Sequence, residues 1–398
     1  MRTRTAACAA LAAAVVLGLT ATGPATAADR APAAVADSPG PDTKALRAAI
    51  AGLPNADATA ALVRVSGNEG SWRGSSGVRD IRTGRPADPN GRFRAGSVTK
   101  VVTAAVVLQL AAEGEVDLDA PVQDYLPQVF APNAKAFDKP ISVRQLLNHT
   151  SGLKPGRALG TTFDELYAHR FDTLTPQEVA ATSIAKGPAH APGAVQEYLG
   201  INYTLLGLLI EKVTGQSYEH EATRRVLRPA GMWRSSFPGT DPRVHGPHNR
   251  GYQAVPAPGG GTRLVDVTEW NQRDRMAGGD LISTTADLER LTVALFKGRI
   301  VPRPQLEEMF TVPSGIKGAT MSAGLQRFTY TTPAGERKEL WLKTGSRHGY
   351  NSIIAADRNL DTVLVYSVNS TDAKGEEMNA VVQRIVTAAL KGGTPTRP

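Results

Sequence analysis

Arg94-Ala95-Gly96-Ser97-Val98-Thr99-Lys100 runs straight into Val101-Val102-Thr103-Ala104-Ala105-Val106-Val107-Leu108-Gln109-Leu110, ten residues without a charge. A glycine-led turn followed by an apolar run of this length predicts a helix. Ser97 then lies on its first turn, with Lys100 one turn later on the same face. The run is apolar all round, so the helix is buried and takes the lysine with it. This is an S-x-x-K arrangement. A serine hydroxyl is a weak nucleophile at neutral pH and needs an adjacent base to attack a carbonyl. A helix N-terminus adds N–H groups and positive potential where an oxyanion forms. Alone, such a four-residue pattern is more often a helix cap followed by a solvated lysine.

The surrounding chain has 398 residues, 41% hydrophobic and 21% charged. That is a globular composition with room for a large core, neither disordered nor membrane-embedded. The net charge is +8. The basic residues are dispersed and not interleaved with aromatics, so no nucleic-acid surface is expected. A mildly basic exterior would suit anionic cell-wall polymers, although an ordinary solvated surface is the simpler reading.

Met1-Arg2-Thr3-Arg4, the small apolar run Ala6 to Leu19 and Ala25-Thr26-Ala27 have the form of a secretory signal peptide. Cleavage after Ala27 would remove Arg2 and Arg4 and leave 8 − 2 = +6. It would also remove Cys8, the only cysteine, so the secreted protein is expected to hold its fold by its core and not by disulfides. No membrane anchor is expected. Residues 28–43, rich in Ala, Pro, Asp and Ser, read as a flexible leader.

Beyond the leader, Lys44 to Leu53 predicts a short helix, followed by strands about Ala60 to Val65 and Ser71 to Val78. From about 116 to 275 the chain reads as helices and long loops, with starts at Ser142 and at Thr175-Pro176-Gln177-Glu178 and a buried helix after Tyr203. Strand patterns return at Gln326 to Thr332, Glu339 to Lys343, Asn351 to Asp357 and Thr362 to Val368, and a last helix is predicted over 375–390. The expected fold class is α/β (α+β). A sheet domain, 44–115 and 276–391, is flanked by helices and carries an inserted all-helical domain, 116–275. Residues 392–398 form a disordered tail.

Two more stretches stand in order behind Ser97. Gln196-Glu197-Tyr198-Leu199-Gly200-Ile201-Asn202 precedes the second buried helix, and Trp341-Leu342-Lys343-Thr344-Gly345-Ser346 lies on a strand whose glycine permits close approach to the backbone. Taken singly, Tyr198 is a loop aromatic packed on the core and Lys343 an edge-strand lysine.

Together, the three motifs make the chain resemble the serine β-lactamase and penicillin-binding protein family over roughly Leu46 to Leu390. It is most similar to secreted D-Ala-D-Ala carboxypeptidases of the class C β-lactamase type. Arg92-Phe93-Arg94, Glu113 to Asp119, Leu146 to Leu153 and Gly278-Gly279 share the likeness. The resemblance implies an antiparallel sheet of the β-lactamase/transpeptidase kind. It makes Ser97 the nucleophile, Lys100 the residue that holds or relays its proton, and Tyr198 the general base and later acid. Lys343, Thr344 and Gly345 would line the opposite wall of the cleft, and the backbone N–H groups of Ser97 and Ser346 would form the oxyanion hole. His149 fits a structural loop, and neither a metal nor a cofactor is implied.

Where the family has Tyr-x-Asn, this chain has Tyr198-Leu199-Gly200, so a hydrogen-bond donor to the substrate's acylamino group is missing. Lys343-Thr344-Gly345 stands where the most similar carboxypeptidases have His-Thr-Gly, and Arg347 and His348 just beyond are placed to bind a substrate carboxylate or to be loop-surface charge. The expected activity is a D-Ala-D-Ala carboxypeptidase on cell-wall peptides, acylated by β-lactams, as a monomer. Alternatives are a β-lactamase-like esterase or D-amino-acid amidase/peptidase, and a low-turnover penicillin-binding sensor.

Overall fold

The computed structural model describes residues 40–396. The expected signal peptide, most of the leader and Cys8 lie outside the described residues. Helix α1 (Thr43–Ala49) starts on Asp42, whose carboxylate accepts from the Ala45 N–H. Strands β1 (Ala58–Gly67) and β2 (Gly70–Gly77) form a hairpin, and the two-residue β3 (Phe93–Arg94) leads into the Ser97 turn. Helix α2 (Thr99–Ala112) follows.

The middle of the chain supplies α3 (Val143–Leu147), α4 (Phe163–Ala168), α5 (Pro176–Ala185), α6 (Gly200–Thr214) and α7 (Tyr218–Ala222). Ser142, Thr162 and Thr175 each close a reciprocal capping box with a Gln or Glu three residues on. Such boxes satisfy N–H groups that the first turn leaves without partners. Strands β4 (Tyr252–Pro256), β5 (Thr262–Asp266) and β6 (Ile282–Ser283) precede α8 (Thr285–Phe296). The last part holds β7 (Gln326–Thr331), β8 (Arg337–Arg347), β9 (Tyr350–Ala356), β10 (Val363–Ser370), α9 (Ala380–Ala389) and β11 (Thr394–Pro395).

Seven strands join in one antiparallel sheet of order β11-β7-β8-β9-β10-β1-β2. Both faces are covered. Leu342, Ile353, Leu364 and Tyr366 pack with Leu46 of α1 and Val381 and Ile385 of α9. Their neighbours along the strands, Trp341, Ile354 and Val365, join a larger core with Val101, Val106, Leu205 and Leu209. Alternate residues of a strand point to opposite faces, so strands covered on both sides read as continuous apolar runs. Helix α2 is buried from Thr99 through Leu108, Lys100 included. Among the described residues no helix is long and apolar enough to cross a membrane.

The structure differs from the sequence reading in four places. Ser97 lies on a 3₁₀ turn, Gly96–Val98, and the α-helix proper begins only at Thr99. The segment 116–275 is not all helix and loop, because β4 and β5 form a hairpin within it across Ala257-Pro258-Gly259-Gly260-Gly261. The last helix starts at Ala380, where Asn379 caps two N–H groups, and not at 375. The expected disordered tail contains β11, which pairs with Tyr330 and Thr331 and covers the otherwise unpaired edge of β7.

Candidate active site

The site is assembled where β8 outruns its partner β7. Pairing of β7 with β8 ends at Leu342, and beyond it that edge of β8 packs on the Ser97 turn while the other edge stays paired with β9 through Arg347. Two glycines permit that approach. A Cβ on Gly345 would sit 1.9 Å from the Ala95 carbonyl oxygen and 2.5 Å from Ser352 Oγ. Gly96, at φ +54° in the left-handed region, would place a Cβ 2.7 Å from the Ser346 nitrogen. Ser352 Oγ donates to the Ala95 carbonyl at 2.9 Å and ties the turn to β9. Gly345→Ala is therefore expected to force turn and strand apart. Overpacking of this kind costs about 1–3 kcal/mol, seen as a lowered midpoint in thermal unfolding together with loss of activity. An unchanged midpoint would contradict this packing.

Lys100 Nζ donates to Ser97 Oγ at 3.4 Å and to the Gly278 carbonyl at 2.5 Å. Its pKa is pushed well below the ordinary lysine value, first by burial and then by the cations of Lys343, Arg275 and Lys374. Asp280, two residues beyond Gly278, opposes this shift only weakly, and its own carboxyl is raised well above the usual range by burial. A lysine so placed deprotonates easily and becomes a base next to the serine.

Tyr198 lies on the loop before α6, with Lys100 Nζ 5.2 Å and Lys343 Nζ 4.8 Å from the centre of its ring. Tyr203 is also 5.3 Å from Lys100 Nζ, but it is fully buried and its hydroxyl donates to the Leu147 carbonyl at 2.8 Å. Burial raises its pKa further. Of the two phenols, Tyr198 is the one at the cleft. Lys343 donates to the Thr344 carbonyl at 2.9 Å, while Thr344 and Ser346 are half-buried beside it on β8. The Ser346 hydroxyl donates to the Ala373 carbonyl at 2.5 Å, and Lys374 Nζ donates to the Ser346 carbonyl at 2.8 Å, which pins this end of the strand.

His149 supports the tyrosine. Its φ is +62°, its ring is buried 4.6 Å from that of Tyr198, and its Nδ1 accepts from the Leu199 N–H at 3.3 Å and from Asn202 Nδ2 at 3.1 Å. Asn202 Oδ1 in turn accepts from Ser151 Oγ at 2.6 Å. Burial, then Lys100 and Lys343, push the His149 pKa well down, so the ring is neutral and its Nδ1 free of a proton, as these bonds require. Asn202 is thus committed to the His149 loop. Gly200, the first residue of α6, has nothing within 4 Å of where a Cβ would stand.

Arg347 is no surface charge. Its side chain is buried, and its Nε has no hydrogen-bond partner. Burial, and then Arg275, push its pKa down to about 9, still a cation at neutral pH. Sequence reading did not single out Arg275, the Gly278 carbonyl or Lys374. Only Gly278-Gly279 carried a signal there, and Gly279 packs between Arg275 and the Gly96 turn. The structure brings together Ser97, Lys100, Tyr198, Lys343, Thr344, Gly345 and Ser346 from three separate parts of the chain. Such a constellation has a nucleophile, bases of lowered or shared charge, and convergent backbone at one point, which is what acyl transfer through a serine requires.

Residues 46–387 match the Beta-lactamase family, and the chain belongs to it. It is similar to a D-stereospecific amidohydrolase from Streptomyces sp., at 29% identity and a TM-score of 0.74, over 88% of this chain and 99% of that one. It is likewise similar to the D-amino acid amidase of Ochrobactrum anthropi SV3, at 26% identity and a TM-score of 0.69, over 88% and 97%. Protein flp of Staphylococcus aureus strain N315 is 30% identical over 214 residues, 54% of this chain and only 40% of that protein's length. The fold is that of the β-lactamases and penicillin-binding proteins.

Proposed function

We propose that the enzyme hydrolyses D-aminoacyl amide, peptide and ester bonds through an acyl-enzyme on Ser97. The observation that carries this reading is the open position at Gly200 beside an otherwise complete Ser97, Lys100, Tyr198 and Lys343 set. No neighbouring side chain takes over from the missing amide, since Asn202 is held by His149 and Ser151. A substrate whose α-nitrogen bears no acyl group loses nothing there. The names of the Streptomyces and Ochrobactrum enzymes are in keeping with this.

In the proposed reaction Ser97 Oγ bonds to the carbonyl carbon, and its proton passes to the neutral Lys100 and Tyr198 pair. The oxyanion rests between the backbone N–H groups of Ser97 and Ser346. Collapse breaks the bond to the leaving amine or alcohol, which takes its proton from Tyr198, and water then cleaves the ester on Ser97. Turnover of D-alanine p-nitroanilide well above that of the L-isomer tests this, and equal turnover of the two isomers contradicts it.

A second reading, D-Ala-D-Ala carboxypeptidase, is favoured by the cations Lys343, Lys374, Arg275 and Arg347 about the cleft, which suit a substrate carboxylate. Gly200→Asn separates the two. The backbone there is ordinary helix and the space is open, so folding is expected to be unaffected. A restored donor at a catalytic centre is worth up to roughly 10²–10³ in rate. We expect kcat/KM for an Nα-acylated D-Ala-D-Ala peptide to rise about tenfold or more, with little change for unacylated D-alanine amides. No gain would count against this account of Gly200. The sequence of Met1 to Ala27 supports action outside the cytoplasm.

A further inference from the structure

We infer that the acyl side of the substrate is read by an aromatic wall of Phe163, Tyr167, Trp270 and His348, so that the enzyme prefers an aromatic or bulky apolar group beside the scissile carbonyl. This rests on the acyl-serine reading above. Strand β8 runs from Lys343 past Ser346 to its last residue, Arg347, and His348 follows in the turn. His348 is thus two residues beyond the proposed oxyanion position at Ser346, in the two-residue turn that joins β8 to β9. Lys100, Tyr198 and Lys343 mark the end of the cleft where a leaving group collects its proton. The acyl part of the substrate therefore extends the other way, toward His348.

Four rings meet there. The His348 imidazole stacks on Trp270, with centroids 5.0 Å apart and planes at 21°, and receives the edge of Phe163 at 5.2 Å. Phe163 stacks at 5.5 Å on Tyr167, one turn along α4, and Tyr167 meets Trp270 edge-on at 6.3 Å. The Tyr167 hydroxyl donates to the Asp266 carbonyl at 3.3 Å, and the Asn271 N–H donates to the Arg170 carbonyl at 2.8 Å. These bonds fix the wall to the segment that runs on to Arg275 and Gly278. Helix α4 buries none of its residues completely, so Phe163 and Tyr167 remain partly open to solvent, while Trp270 is buried behind them. Phe171, 49% exposed just beyond the helix, carries the Arg170 guanidinium 4.2 Å over its ring and marks the charged margin of the wall.

The rings themselves are uncharged, and among the described residues the one cation packed on them is the Arg170 guanidinium, 4.0 Å over the Tyr167 ring, which leaves Phe163 and His348 free of a stacked charge. Burial, followed by Arg347, Lys374 and Arg275, brings His348 down to about 3, so its ring is neutral through the working pH range. Uncharged rings beside a cationic cleft separate the two demands on a substrate: a polar or anionic part toward Lys343 and a flat apolar part toward Trp270.

The test compares p-nitrophenyl acetate with p-nitrophenyl phenylacetate, which share a leaving group, each kcat/KM being normalised to the hydroxide-catalysed rate. The wild-type enzyme is expected to favour phenylacetate by about tenfold or more, the discrimination that apolar pockets achieve. Phe163→Ala and Tyr167→Ala should each bring the ratio toward unity, chiefly through KM for phenylacetate. Phe163→Leu, which keeps most of the apolar volume, should give an intermediate ratio and guards against misfolding of the alanine variants. A wild-type ratio near one, or ratios in all three variants within about twofold of wild type, would overturn the inference. Failure to hydrolyse either ester would instead overturn the acyl-serine reading, and the inference with it.

Discussion

Ser97→Ala is expected to lower kcat/KM toward any ester or D-aminoacyl amide by about 10⁴-fold or more, the scale on which loss of a catalytic serine is felt. The fold should not notice. Ser97 is half-buried on a 3₁₀ turn, and its hydroxyl takes a long 3.4 Å bond from Lys100, which keeps its shorter bond to the Gly278 carbonyl. Removing one oxygen there opens no cavity and strands no buried charge beyond the lysine already present. Steady-state kinetics beside a thermal unfolding curve read this directly: activity lost, midpoint kept. Retention of more than a hundredth of wild-type turnover would move the nucleophile elsewhere.

Lys100 carries the second large effect. Its amine must be neutral to accept a proton, and its folded pKa lies well below the ordinary lysine value, burial being the first cause. Activity should therefore rise as the pH climbs through that lowered pKa. Lys100→Arg places a permanent cation at the same spot and is expected to cost about 10²–10⁴ in kcat, the worth of a positioned general base. Stability follows the same sign. The unfolded chain keeps its proton up to about pH 10.4, while the folded chain has already lost it. Between the two pKa values the unfolded state binds more protons, and folding stability rises with pH. Lys100→Met, which buries no ammonium, should flatten that rise and unfold at a midpoint no lower than the wild type at neutral pH. A steep pH dependence of stability surviving in Lys100→Met would place its origin in another group.

Much of this was readable in the sequence, and unevenly so. Ten uncharged residues after Lys100 were enough to place a lysine in the interior, because nothing else explains so apolar a helix with a cation at its head. Thr175-Pro176-Gln177-Glu178 announced the start of α5 through local hydrogen bonds alone. Tyr198 and Lys343 took their meaning from the order of motifs, since neither has a local pattern that separates it from a packed ring or an edge lysine. The Gly278 carbonyl that receives Lys100 is backbone and has no signature at all. The need for Gly345 arises from Ala95, hundreds of residues away, and only the docked strand reveals it. The β4–β5 hairpin was hidden by its proline-and-glycine turn, and β11 by a short polar tail that gains its order only from the exposed edge of β7. Likewise, Phe163, Trp270 and His348 become a wall only because α4 folds across the end of β8.

The central claim is a covalent acyl-enzyme on Ser97, and mass spectrometry of the intact protein after brief incubation with a penicillin tests it most directly. The account predicts a mass increase equal to one penicillin, absent in Ser97→Ala. After trypsin, the adduct should lie in the fragment Ala95 to Lys100, which contains Ser97 and no other serine. An adduct on any other fragment, or an equal adduct in Ser97→Ala, would contradict it.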